Sequence, residues 1–101
     1  MRTETFYQEL DRLFAEKKIA QVEPFLQQTL AEAEAENAYD LAVAVCNELG
    51  GFFRALSRYE EGVALYEKAL RYLKELGMEN DENCATTLIN YATILNLAGR
   101  S

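Results

Sequence analysis

Cys46 and Cys84 are the strongest candidate nucleophiles in this chain, and no histidine accompanies them. Ser-His, Cys-His and His-metal chemistry therefore cannot be assembled within a single copy. Two cysteines are too few for a disulfide framework or a zinc site. Both fall in apolar helical pattern, where a thiol behaves as a small, buried, reduced hydrophobe of a cytosolic protein. Cys84 would lie near a helix N-terminus, a position that can activate a thiol, but Glu79, Asp81 and Glu82 disfavour its thiolate. No glycine-rich phosphate loop is present. The expectation is a chain with no catalytic residue, no metal and no cofactor, and hence not an enzyme.

Charge removes further classes. The 101 residues carry a net charge of −7, with six of those negative charges in residues 1–50 (four basic against ten acidic groups). Nucleic-acid binding needs a lysine or arginine stripe to displace phosphate counterions, and none is visible. A membrane-surface helix would also need basic charge on its polar face. No apolar run approaches the ~20 residues of a membrane span, and the start, MRTETFYQEL, has no secretory apolar segment. A cytoplasmic protein without nucleic-acid or membrane partners is expected. Arg54, Arg58, Arg71 and Lys74 alternate with Glu60, Glu61, Glu67 and Glu75, the pattern of a solvated face with spaced ion pairs. The AEAEAE run reads the same way.

The elements that would position any site are helical throughout. Phe6, Leu10, Leu13 and Phe14 form one stripe, with Thr5 and Gln8 spaced as a capping box. Val22, Phe25, Leu26, Leu30 and Ala33 form the second, and Asn37 suits the junction that ends it. Leu41, Val45, Cys46, Leu49, Phe52, Phe53 and Leu56 form the third; Ser57 and Glu60 are spaced as another capping box. Val63, Tyr66, Ala69, Leu70, Leu73 and Leu76 form the fourth, with Gly77 as its C-terminal stop. After the polar linker Glu79–Asn83 a fifth helix runs from about Cys84 to Ala98. From Cys84 to Gly99 it holds no charged residue, so it should be covered on more than one side.

The segments repeat. Asn47–Arg58 aligns with Ile89–Arg100 at an offset of about 42 residues, Gly50 meeting Ala92 and Ser57 meeting Gly99. Leu49, Gly50 and Phe53, followed by Gly62, Tyr66 and Ala69, resemble the tetratricopeptide repeat, with Cys46 where that family has tryptophan. The resemblance implies an all-α right-handed solenoid of five antiparallel helices, about two and a half repeats in one domain spanning 1–101. Repeat boundaries of 3–37, 39–77 and a partial 82–101 follow. Gly50 and Gly62 would let two helices approach while Phe53 and Tyr66 fill the space beside them.

The resemblance also implies a function: non-catalytic binding of a protein, peptide or helix on a concave face. Tyr7, Asp11, Asn47, Gly51, Arg54, Ile89, Thr93 and Asn96 take the concave positions. The family's clamp for acidic chaperone tails needs Lys, Asn and Arg, and Asn47 and Gly51 stand in the matching places, so that ligand is not expected. An alternative is a homodimer through the uncharged fifth helix, with Tyr91, Ile94, Leu95 and Leu97 as contacts. Another is a peptide-sensing domain of a bacterial regulator. The final LAGRS stops where a further helix would begin, which reads as the cut end of a longer array.

Overall fold

A computed structural model describes residues 1–99. It is all-α: α1 (Thr3–Ala15), α2 (Val22–Ala35), α3 (Tyr39–Ala55), α4 (Tyr59–Glu75) and α5 (Glu82–Leu97), with a short 3-10 turn at Ile19–Gln21 before α2. Among the described residues there is no strand, and no helix is long and apolar enough to cross a membrane. Arg100 and Ser101, part of the aligned turn and of the third repeat, lie outside the described residues.

The helices stop in one recurring way. Lys17, Asn37, Ser57, Gly77 and Gly99 all have positive φ, between 55° and 77°. At four of these ends the next amide reaches back five residues: Lys18 N to Leu13 O, Ala38 N to Ala33 O, Arg58 N to Phe53 O and Met78 N to Leu73 O, at 2.8–2.9 Å. This left-handed closure satisfies carbonyls that the helix leaves open. Ser57 is therefore the stop of α3, and Arg58, with no side-chain capping bond, precedes α4; the expected Ser57–Glu60 capping box does not form. The Thr5–Gln8 box fails for a different reason, because α1 already starts at Thr3. Asp81 does cap α5, accepting from Asn83 N at 2.8 Å.

A side chain other than glycine in the left-handed region costs about 1–2 kcal/mol, and glycine's extra unfolded-state entropy offsets part of the gain from removing it. Ser57→Gly is thus expected to stabilise the fold by about 0.5–1 kcal/mol, read as a higher midpoint in urea unfolding.

The core centres on the α3–α4 hairpin. A Cβ on Gly50 would meet Tyr66 Cζ at 2.8 Å, and one on Gly62 would meet Gly50 O at 3.1 Å and Phe53 Cβ at 3.6 Å. The close approach expected at this glycine pair is present, with Tyr66 and Phe53 buried beside it. Phe6, Leu10 and Leu13 of α1 pack on Val22, Leu26 and Leu30 of α2 and on Val45 and Leu49 of α3 in one continuous core. Phe6 also stacks on Phe25, ring centroids 5.8 Å apart.

Polar side chains tie distant helices together. Tyr72 of α4 donates its hydroxyl to Glu34 of α2, and Lys68 Nζ lies 3.0 Å from the same carboxylate. Burial pushes the Glu34 pKa up, but these two partners pull it below the usual carboxylate range. One acid of the AEAEAE run is therefore a strap between helices rather than a solvated residue. Tyr39, first residue of α3, stacks on Tyr72 with centroids 5.0 Å apart. Arg58 bonds Glu23 of α2 and Glu61 of α4, each at 2.7 Å, and its guanidinium lies 4.3 Å over the Phe53 ring.

The fifth helix corrects one expectation. Ile94 is 0% exposed, packed with Val63 and Tyr66, so it cannot be a contact for a second copy. Tyr91 and Leu95 are half-buried against the same cluster, and Tyr91 donates to Glu67 at 2.8 Å. The large apolar residues α5 exposes are Leu88, Ile89 and Leu97, at 49%, 67% and 49%.

Candidate functional site

Two grooves open on the face formed by α1 and α3. The first, of about 460 Å³, also reaches α5. Its walls are Thr3 and Tyr7 of α1, Asp40, Val43, Ala44, Asn47 and Glu48 of α3, and Asn83, Thr86 and Asn90 of α5. These positions step by three or four along each helix, as residues on one helical face must. They run from the N-terminal end of each helix to about its middle.

The polar groups in this groove divide into engaged and open ones. Asn47 uses its amide to hold α3 and α5 together. Its Nδ2 donates to Val43 O and to Thr87 Oγ1, both at 3.1 Å, and Thr87 donates to Asn83 O at 2.9 Å. Thr87 is fully buried, so this small network satisfies a hydroxyl that would otherwise be costly inside the core. Thr86 and Asn90 make no side-chain hydrogen bond among the described residues and remain available to a ligand.

The second groove, of about 430 Å³, continues toward the C-terminal ends of α1 and α3. Leu10, Phe14, Ile19, Leu26, Gly51, Phe52, Ala55 and Leu56 line it, with Glu48 as the one charged residue among the described lining residues. Phe14 and Leu56 belong to the apolar stripes read from the sequence. Both are about half exposed and form walls here.

Glu48 lines both grooves and joins them. It has no hydrogen-bond or ion-pair partner among the described residues. Burial raises its pKa, and the negative charge of Asp11 adds to the shift. Burial and Glu48 in turn raise the pKa of Tyr7; Tyr66 is raised by burial, with Arg54 opposing and Glu48 adding. Among the described residues no lysine or arginine lines either groove.

A carboxyl whose folded-state pKa lies above its unfolded value opposes folding while ionised. That opposition is present above the folded pKa and fades as pH falls toward the unfolded value near about 4.3. Glu48→Gln should therefore raise the melting temperature at neutral pH, with the gain vanishing by about pH 4. Thermal melts of both proteins across this range check it.

Of the concave-face residues expected from sequence, Tyr7 and Asn47 line the first groove and Gly51 the second. Asp11 is exposed and acts on Glu48 through its charge. Arg54 is half-buried beside Tyr66, and Ile89, Thr93 and Asn96 are exposed outside both grooves. Asp40, Glu48, Asn83, Thr86 and Asn90 were missed. The 42-residue offset that relates Gly50 to Ala92 also relates Ala44 to Thr86, so the register contained part of this signal.

Neither cysteine contributes to the site. Cys46 is fully buried and burial pushes its pKa up to about 12; Cys84 is buried between Val43 and Leu73, and both are free thiols.

Helix hairpins laid side by side, with a glycine pair at the closest crossing and an open face on alternate helices, define an all-α helical repeat protein. The family sequence model for the tetratricopeptide repeat matches residues 40–101, and the chain belongs to that family. Repeats of this family are non-catalytic and generally mediate protein–protein interaction. No curated protein and no solved structure gave a match to the chain.

Proposed function

We propose that this chain is a non-catalytic interaction module that takes a peptide or helical segment of a protein partner along the joined grooves of α1, α3 and α5. The carrying observation is the convergence of three helices, far apart in sequence, on one open groove of about 460 Å³ with unengaged polar side chains on its walls. A site held on packed helices is pre-ordered, so a partner loses less entropy to loop ordering when it binds. The segments 3–37, 39–77 and 82–101 would act as the repeat units of this surface.

Selection of a phage-displayed random dodecapeptide library on the whole chain tests the reading. Selected peptides should lose at least about tenfold in affinity to Thr86→Arg, which fills the groove from the exposed side of α5. Peptides indifferent to every groove substitution would overturn it.

Self-association is a second reading, favoured by the exposed Leu88, Ile89 and Leu97 of α5. A single monomeric species in sedimentation at micromolar concentration would remove it.

A further inference from the structure

The second groove poses a question that peptide binding in general does not answer. It is nearly all apolar, yet Phe14, Ile19 and Leu56 stand about half exposed around it. At about 430 Å³ it falls within the range of ligand sites, roughly 300–1,000 Å³. Exposed aromatic and aliphatic walls around a concavity of that size are a binding surface.

Its one charged wall residue gives the chemistry of the occupant. Glu48 is half-buried and unpartnered, with Asp11 of α1 close enough to repel it. Tyr7 of α1 and Tyr66 of α4 also face this carboxylate, and neither supplies a positive charge. Arg54 acts on Tyr66. The pair Asp11 and Glu48 is therefore repulsive in the free protein and would become attractive around an incoming cation. The chain's net charge of −7 steers a cationic segment in the same direction. The exposed apolar face of α5 suits this description less well, because the helix has no charged residue from Cys84 to Gly99 to set against Glu48.

We infer that the groove between α1 and α3 anchors a basic amphipathic segment of a protein partner. A large apolar side chain sits among Leu10, Phe14, Phe52 and Leu56, and a lysine or arginine about one helical turn away meets Glu48. This rests on the proposed peptide-binding role and adds the partner's chemistry to it.

The same library selection decides the matter. Enriched dodecapeptides should pair a large apolar residue with Lys or Arg three or four positions away. Glu48→Gln should weaken them about tenfold, whereas the same peptides with norleucine replacing the cation should change less than about twofold. Ala55→Arg, at the exposed edge of the apolar groove, should weaken both sets. Circular dichroism of each variant confirms that the helices are retained. Enriched sequences that are neutral or acidic, or equal responses of the two sets to Glu48→Gln, would overturn the inference. If Thr86→Arg weakens binding while Glu48→Gln and Ala55→Arg do not, the anchor fails and peptide binding stands. If none of the three has an effect, both fail.

Discussion

Truncating Ile94 to alanine should cost about 2–5 kcal/mol, the range for deleting a buried aliphatic side chain and leaving a cavity. The side chain is 0% exposed and packs with Val63 and Tyr66. Its terminal methyl also fills the space that a Cβ on Gly62 would occupy, so its loss opens the junction of α3, α4 and α5 together. For a chain of this size a loss of 1 kcal/mol lowers the melting temperature by about 4–8 °C, which makes the effect measurable by differential scanning calorimetry. Leu97 provides the control. It is 49% exposed two residues before the described end of the chain, and Leu97→Asp should change stability by no more than about 0.5 kcal/mol. Equal effects at the two positions would mean that α5 is not docked on α4 as described.

Gly50→Ala should destabilise by about 1–3 kcal/mol through overpacking. Helix propensity alone predicts the opposite sign, since alanine is favoured over glycine by about 1 kcal/mol in a helix interior. Packing wins because the new methyl would lie 2.8, 2.9 and 3.0 Å from three atoms of the Tyr66 ring. An aromatic ring cannot yield by rotating one terminal atom, and this one is 1% exposed, so it has no space to retreat into. Tyr66→Leu, which removes the ring, should shrink the cost of Gly50→Ala; the non-additivity in guanidinium unfolding identifies the ring as the cause.

The parts of this fold that sequence exposes are those where a residue type has one job. Gly50 and Gly62 sit at a helix crossing that admits no side chain, and large Phe53 and Tyr66 beside them leave few other arrangements. Gly77 marks a helix stop for an equally local reason, its φ of 69°. Ser57 adopts the same backbone without being glycine, so its composition pointed to a capping box that does not exist. Ile94 was expected at a self-association surface because no charge from Cys84 to Gly99 distinguishes the faces of α5; only the position of α4 decides which side is buried. Glu34 looks like any other acid in an alternating run, and its partners Lys68 and Tyr72 lie on another helix. The site is less legible than the fold for the same reason. Glu48 lies in an otherwise apolar helix, and its place between two grooves depends on how α1 crosses α3.

The α3–α4 hairpin, closed by three residues between Ala55 and Tyr59, holds the glycine crossing and both of the largest buried rings of this pair, Phe53 and Tyr66. Its contacts join residues near one another along the chain, so little loop entropy is lost in forming them. The earliest ordered structure on the folding pathway should accordingly be this hairpin, with α2 docking through Glu34 and Glu23 and α1 and α5 adding at the flanks. In a fold assembled outward from this hairpin, α1 and α5 dock after it. Both of these helices supply walls of the first groove, so the surface proposed to meet a partner would be complete only once they have docked on the hairpin.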